Sequence, residues 1–390
     1  MTLEQLVYFH DAGFDLYDFG EGHPFSPLRQ RLTFDLLREA GLLPEAVVRA
    51  APPAAEEELL LFHTPEYVDA VRRADRLAAP ERWGLGPPDN PVFPHMHRAA
   101  SLRVGATVAA VREVMSGRKL QAVNFGGGLH HAHPARASGF CIYNDIAVAI
   151  RWLRREYGCK VAYVDLDVHH GDGVQWAFYD DPAVLTISIH ESGRSLFPGT
   201  GDVDEVGEGD ARGTSVNVPL LPYTSGSSWF ECFEIVVPEL LRAFKPDILI
   251  TQHGCDPHRL DPLAHLAVST SYMAAAARAL RELAGEVCGG RWVALGGGGY
   301  SIWDAVPRTW AAVWAEISEQ RLPETLPPSW RARWQPAAPV ELPVHWDDLV
   351  DEPPPKDGAD GEDHWRSQRN RRTAQEAVET ALRFLALRRP

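Results

Sequence analysis

The sequence predicts an α/β protein in which a parallel sheet is flanked by helices. From residue 120 onward, short apolar runs alternate with longer stretches of helical periodicity, as in strand–helix–strand units. The run from Val161 to Leu166 is apolar and β-branched, which is typical of a strand buried in a parallel sheet. Several runs end in Gly, His and Asp, and such sheets place their ligands at the carboxyl ends of their strands.

The part of the chain before residue 120 is predicted to contain one strand and three helices. The strand is Leu6 to Phe9, and a Gly/Pro-rich loop follows it. The predicted helices are 28–40, 65–79 and about 95–116. Thr64 and Pro65 open the second helix as a cap followed by a proline at the first helical position. Residues 84–94 form a Pro/Gly loop that carries Asp89.

From residue 120 to about 320 the prediction is a repeated strand–loop–helix pattern without a domain boundary. The predicted strands are 120–125, 160–166, 184–189, 247–252 and 291–296. The predicted helices are 144–156, 228–243, 270–286 and 303–320. Residues 197–222 are rich in Gly and Asp and are predicted to be a long structured loop. Residues 1–320 are therefore predicted to form one domain.

Residues 321–390 are predicted to be a carboxyl-terminal extension of different composition. The extension begins with a Pro/Trp-rich segment, and residues 351–363 are predicted to be an extended acidic linker. The last helix, about 366–388, carries an apolar stripe that includes Ala374 and Val378. We expect this helix to pack on the domain or on a second copy of the chain, and the oligomeric state stays open.

The composition excludes several classes of function. The net charge of −15 argues against nucleic-acid binding, which needs a basic surface. No run of about 18 apolar residues is present, so no membrane span is expected. The amino terminus lacks the regions of a signal peptide, and we therefore expect a cytoplasmic location. The 5 cysteines form no CxxC pair, so neither a zinc–thiolate site nor a disulfide framework is expected.

The stretch from Lys160 to Gly173 carries the strongest signal for a metal site. Side chains alternate between the two faces of a strand, so Asp165, Asp167 and His169 are expected to point the same way. Carboxylate and imidazole groups that converge beyond a strand end suit a divalent cation. Zinc fits these ligand types, and on ligand type alone iron(II) and manganese stay open.

Three further clusters follow predicted strands. His130 and His131 are adjacent after a Gly run, which favours a functional role over that of a lone core histidine. The segment after strand 247–252 offers Asp256 and Asp261, and Tyr300 follows a second Gly run. This combination suits metal-assisted hydrolysis of an amide, with the phenol as a donor to the oxyanion. A Ser-His-Asp hydrolase is disfavoured because the sequence has no GxSxG elbow.

Several motifs together resemble the histone deacetylase superfamily. They are the Gly-Gly-Leu-His-His-Ala run ending at Ala132, Ser138 to Asp145, Tyr163 to Gly173, Phe197 to Asp202 and the Gly run ending at Tyr300. The chain is more closely similar to the bacterial acetoin-utilisation (AcuC-like) branch, over about His23 to Trp310. The resemblance implies the arginase/deacetylase fold, a single α/β domain around a parallel sheet of about eight strands, and a zinc-dependent deacetylase.

The resemblance also assigns roles to individual residues. The implied metal ligands are Asp167, His169 and Asp261; the last is preferred over Asp256 because the run from Asp261 to Leu263 is similar to the family's ligand segment. The implied catalytic residues are His130 paired with Asp165, His131 paired with Asp172, and Tyr300. The implied substrate contacts are Phe140, Phe197 and Gly139 along the acyl-lysine channel, Asp89 at the rim and Arg29 at the inner end. The implied ligands of a structural potassium ion (K⁺) are Asp165, Asp167, His169 and Ser188.

The function predicted from this resemblance is hydrolysis of N6-acetyl-lysine in a protein, with Zn²⁺ as the cofactor and Fe²⁺ as the alternative metal. The substrate is expected to be an acetylated metabolic protein or, as an alternative, a small acetylated amine, as in an acetylpolyamine amidohydrolase. A third hypothesis is a non-catalytic protein that binds acyl-lysine, which would need no base such as His131.

Overall fold

The computed structural model describes residues 3–348 and 361–387. Its centre is one parallel sheet of eight strands, in the order β2-β1-β3-β8-β7-β4-β5-β6. The strands are β1 (Leu6–Phe9), β2 (Val48–Arg49), β3 (Gln121–Asn124), β4 (Val161–Asp165), β5 (Val184–Glu191), β6 (Ser215–Leu220), β7 (Ile248–Gln252) and β8 (Trp292–Leu295). The predicted fold, a parallel sheet of about eight strands flanked by helices, is confirmed.

Helices cover both faces of the sheet, and apolar residues from each face form two separate cores. The α-helices are α1 (Leu28–Glu39), α2 (Glu56–Leu59), α3 (Pro65–Arg72), α4 (Met96–Met115), α5 (Asp145–Tyr157), α6 (Asp172–Ala177), α7 (Gly226–Phe244), α8 (Thr270–Cys288), α9 (Ala305–Ser318), α10 (Pro328–Trp334) and α11 (Gly361–Leu387). The eight longest of these were predicted. Among them α3 is shorter than expected, because the chain turns into a 3₁₀ helix at Ala74–Arg76.

The sequence-based prediction of a long loop over 197–222 is wrong at its end, where β6 forms the edge of the sheet. The strand was missed because polar residues alternate with apolar ones along it and Pro219 interrupts the pattern. Ser215 and Asn217 are nevertheless buried. Both donate hydrogen bonds to Gln175 Oε1, at 2.8 Å and 2.7 Å. Their buried polarity is therefore satisfied by tertiary contacts that the sequence does not display.

The register of the central strands brings the functional loops together. Asp165 at the end of β4 lies opposite Gln252 on β7 and Ser188 on β5. Gln252 in turn lies opposite Leu295 at the end of β8, next to β3. The loops that follow β3, β4, β7 and β8 thus leave the same edge of the sheet from neighbouring positions.

The carboxyl-terminal extension packs on the rest of the chain wherever the structure describes it. Trp330 and Trp346 are buried in the same core as β4 and α9. Helix α11 covers α7 and the edge strand β6 and buries Ala374 and Ala381. Most of the predicted acidic linker lies outside the described residues, and the division at residue 320 stays a prediction. No helix among the described residues is both long and apolar enough to span a membrane.

Candidate active site

A pocket of about 240 Å³ opens at the carboxyl edge of the sheet. Its lining residues are Asp89, His131, Gly139, Phe140, His169, Leu196, Phe197, Leu263 and Tyr300. Seven of these nine were singled out from the sequence. Leu196 and Leu263 were missed, because a single leucine in a loop gives no sequence signal that separates a pocket wall from a core contact.

Two histidine–carboxylate pairs lie at the pocket, which His131 lines directly. Nδ1 of His130 lies 2.8 Å from Asp165 Oδ2, and Nδ1 of His131 lies 2.7 Å from Asp172 Oδ1. All four side chains are buried. His133 approaches the second oxygen of Asp172 at 3.2 Å. Because each Nδ1 is directed at a carboxylate, Nε2 is the nitrogen that stays available to a substrate or a water molecule.

The two histidines have opposite pKa shifts. Burial, helped by the charge on His130, lowers the pKa of His131 to about 4. Burial also disfavours the charged form of His130, but the carboxylates of Asp165 and Asp167 outweigh it and raise its pKa to about 9. The site therefore pairs a neutral imidazole with a cationic one, which suits a division between proton acceptor and electrostatic group.

The possible metal cluster is formed by Asp167, His169 and Asp256, whose ligand atoms lie within 4.8 Å of one another. The structure thus brings Asp256 into this cluster, and the preference for Asp261 as the third ligand stays a prediction. The oxygens of Asp261 accept hydrogen bonds from the backbone N–H groups of Leu263, at 3.0 Å, and Tyr300, at 2.7 Å. Both aspartates precede a proline, and only the turn between them decides which carboxylate faces Asp167.

The donor set fits a divalent cation. Asp167 and Asp256 are almost completely buried on either side of His169. Burial and the charge of Asp167 raise the pKa of Asp256 to about 8, because its protein neighbours do not fully balance the charged form, and a bound cation would supply the missing counter-charge. Two carboxylates and one imidazole match the ligands that zinc and iron(II) take in proteins.

Aromatic rings form the walls of the pocket. Phe140 packs edge-on against Tyr300, with ring centroids 5.7 Å apart, and Phe197 packs against His131 at 5.0 Å. Gly139 and Phe140 both have positive φ, 51° and 65°. A Cβ atom at Gly139 would contact the His131 ring and lie 2.9 Å from Phe197, so glycine keeps this side of the pocket open.

Asp89 lines the pocket, whereas Arg29 is not among its lining residues. Asp89 is exposed at the rim, where its carbonyl oxygen is 3.2 Å from Nε2 of His23. Arg29 is buried and donates to the carbonyl oxygens of Gly297, at 2.8 Å, and Gly299, at 3.2 Å. Arg29 therefore holds the glycine run that leads to Tyr300, a contact that the sequence did not indicate.

Of the residues predicted to bind potassium, Asp165 ends β4 and Ser188 lies beside it on β5, whereas Asp167 and His169 lie in the loop after β4. Asp165 is opposite Ser188 in the register, and Ser188 Oγ lies 2.8 Å from Nδ1 of His190. The Asp165 oxygens accept hydrogen bonds from the Tyr163 hydroxyl and the Asp167 N–H. A potassium ion at this position stays a prediction.

The fold has the arginase/deacetylase architecture, and a possible metal cluster lies beside two histidine–carboxylate pairs at its pocket. The Histone deacetylase domain matches residues 23–317, which is most of the chain, so the protein belongs to the histone deacetylase family. This is a family of deacetylases and implies a divalent metal.

The chain is similar to AcuC proteins and to solved members of the fold. It is 46% identical over 353 residues to the acetoin utilization protein AcuC of Bacillus subtilis (strain 168), covering 90% of this chain and 91% of that protein. It is 41% identical over 356 residues to AcuC of Staphylococcus aureus (strain MRSA252), covering 90% and 91%. An HDAC homologue from Aquifex aeolicus superposes with a TM-score of 0.82 at 30% identity, covering 94% of this chain and 100% of that one. An HDAC homologue complexed with SAHA superposes with a TM-score of 0.83, again at 30% identity and with the same coverage.

Proposed function

We propose that this protein is a zinc-dependent lysine deacetylase, which hydrolyses N6-acetyl-lysine in a metabolic protein of the cytoplasm to lysine and acetate. One observation carries the proposal. His131, His169 and Tyr300 line one pocket, and through His131 and His169 this pocket adjoins the two buried histidine–carboxylate pairs and the Asp167–His169–Asp256 cluster.

Asp167, His169 and Asp256 would hold the metal. A zinc ion bound there would polarise the acetyl carbonyl group and lower the pKa of a water molecule to about 7. Asp167 is fixed for this task because its Oδ2 accepts hydrogen bonds from Gln252, at 2.6 Å, and from the Gly298 N–H, at 2.8 Å. Iron(II) would suit the same donors and is the alternative metal.

His131 acts as the base. Its Nδ1–H is donated to Asp172, so Nε2 carries the lone pair that accepts a proton from the attacking water. The same nitrogen then returns the proton to the lysine amine as it leaves. His130 keeps its charge beside Asp165 and stabilises the negative charge that develops on the acetyl oxygen.

Tyr300 donates a hydrogen bond to that oxygen. Burial raises the pKa of its phenol, so the donor proton is retained. The backbone of Tyr300 is bonded to Asp261, and its ring packs against Phe140, so the side chain is positioned before substrate arrives.

The shape of the pocket supports a lysine substrate. Phe140 and Phe197 would enclose the apolar stem of acetyl-lysine, and Asp89 at the rim would accept hydrogen bonds from the backbone N–H groups of a peptide. The exposed carboxylate of Asp89 could equally meet a small cation, which favours an acetylpolyamine as the second candidate substrate. A protein that only binds acyl-lysine would have no use for two buried histidine–carboxylate pairs.

The test is hydrolysis by zinc-reconstituted protein of an acetyl-lysine peptide and, separately, of N-acetylspermidine, each with and without a hydroxamate inhibitor. Release of acetate from the peptide that the hydroxamate suppresses is the expected result. Release from acetylspermidine alone would replace the protein substrate with a polyamine. Release from neither, by protein shown to contain one zinc ion, would contradict catalysis and favour a binding function.

A further inference from the structure

We infer that Asp348, in the carboxyl-terminal extension, positions the loop that carries Asp256 and Asp261. The inference rests on the proposed function, because it assigns Asp348 a role in holding the metal cluster. Asp348 lies beyond the 23–317 segment that matches the Histone deacetylase domain, and no sequence motif points to it.

The carboxylate of Asp348 contacts three separate elements. Its Oδ1 accepts a hydrogen bond from Arg308 on α9 at 2.8 Å, and its Oδ2 lies 2.9 Å from Nε2 of His258. The N–H of Thr270, the first residue of α8, donates to Oδ2 at 3.4 Å. The side chains of Asp348, Arg308 and His258 are 2%, 3% and 0% exposed. A buried carboxylate needs such partners, and charge-assisted hydrogen bonds give them a defined geometry.

His258 connects this carboxylate to both aspartates of the loop. Its backbone N–H donates to the carbonyl of Cys255 at 3.1 Å, and its own carbonyl accepts the N–H of Asp261 at 2.8 Å. Its Nδ1 accepts the N–H of Leu260 at 3.2 Å, so Nε2 carries the hydrogen that is donated to Asp348. The imidazole of His258 therefore stabilises the turn between Asp256 and Asp261, and its Nε2 donates to Asp348 in the carboxyl-terminal extension.

The position of this turn sets where both candidate ligands, Asp256 and Asp261, are held. Asp256 must keep its Oδ2 near His169, where it lies 3.1 Å from Nδ1, while Asp261 holds the N–H of Tyr300. A rotation of the His258 ring would loosen both contacts at once. Groups that orient metal ligands typically change metal affinity or activity by about 10–100-fold when they are removed.

The extension is anchored independently of Asp348. Trp346 and Leu342 are buried in the core, and the indole N–H of Trp330 donates to the carbonyl of Leu32 at 3.0 Å. A substitution at Asp348 should therefore leave the extension in place and remove only the contacts of its carboxylate.

The test uses Asp348→Asn, His258→Gln, the double variant and the control Glu341→Gln, which removes an exposed carboxylate from the same segment. For each protein we would measure the zinc dissociation constant by chelator competition without substrate, kcat and KM on the substrate identified for the wild type, and Tm. His258→Gln keeps the Asp348–Arg308 ion pair, so it tests the connection even if Asp348→Asn does not fold.

We expect both single variants to bind zinc about tenfold more weakly and to lose kcat with little change in KM. The double variant should be no worse than either single variant, and Glu341→Gln should match the wild type. Zinc affinity and kcat within twofold of the wild type in His258→Gln would overturn the inference, whatever happens to Tm. Because zinc binding is measured without substrate, it tests the positioning role even if the wild type hydrolyses neither acetylated amine.

Discussion

The imidazole Nδ1 of His131 and a carboxylate oxygen of Asp172 are 2.7 Å apart, and both side chains are buried. This contact selects one tautomer of His131 and directs its other nitrogen into the pocket. His130 makes the matching contact with Asp165 but has the opposite pKa shift. The difference between the two pairs is the structural basis for assigning the base to His131.

Asp172→Asn should reduce kcat by on the order of 10³–10⁴ with little effect on zinc content, because the amide no longer selects the tautomer in which Nε2 accepts a proton. Steady-state kinetics on the acetyl-lysine peptide would measure this effect. The control is Asp180→Asn, which changes an exposed aspartate nearby and should leave kcat unaltered. A loss of less than tenfold at Asp172 would remove His131 as the base.

Tyr300→Phe should retain zinc and lose on the order of a hundredfold or more in kcat, since the oxyanion loses a preorganised donor. The ring should stay in place because its contact with Phe140 is apolar. Tyr157→Phe, at a half-exposed position on α5, is the matched control. Full turnover by Tyr300→Phe would show that the phenol takes no part in the reaction.

Asp256→Asn and Asp261→Asn should separate metal binding from positioning. We expect Asp256→Asn to lower zinc affinity by more than roughly 100-fold, because a charged ligand is lost. Removal of a residue that only orients a ligand typically lowers metal affinity by at most about 100-fold. Asp261→Asn should keep zinc and lose turnover, since Asp261 bonds the backbone of Tyr300. Isothermal titration of both proteins with zinc would give the comparison, and the reverse order of affinities would identify Asp261 as the ligand.

His63 should make the folded state sensitive to acid. It is buried, its Nε2 accepts the N–H of Asn144 at 3.0 Å, and burial lowers its pKa to about 3. Because the folded pKa lies below the unfolded value of about 6.5, the unfolded chain binds more protons between these two values. The free energy of unfolding should therefore fall by up to about 1.4 kcal/mol for each pH unit below 6.5 on account of this group.

His63→Gln would test the sign of this effect, since glutamine can still accept the Asn144 N–H but does not titrate. Urea unfolding at pH 7 and pH 5 should show a smaller loss of stability in His63→Gln than in the wild type. Equal losses in the two proteins would mean that His63 does not contribute to acid sensitivity.

Sequence reasoning was most successful where residue type and local spacing carry the information. The strand ending at Asp165 is recognisable because its apolar run is followed at once by ionisable groups. The sequence-based prediction missed β6, because its serine and asparagine are residue types typical of loops. Their burial depends on hydrogen bonds to Gln175, which the sequence does not show. It also gave Arg29 no partner, because the carbonyls that Arg29 bonds lie 268 and 270 residues away along the chain.

By itself, the sequence determined the parallel α/β fold, the edge of the sheet at which the chemistry lies, and nearly all the residue types that form the pocket. The period of the apolar pattern and the polar groups at strand ends are local properties, so they can be recognised without a structure. Only the tertiary structure places Asp256 beside Asp167 and His169 and brings the extension to the same loop through Asp348. Those outcomes depend on the direction of side chains around a turn and on contacts between residues far apart in the chain, which local sequence patterns do not specify.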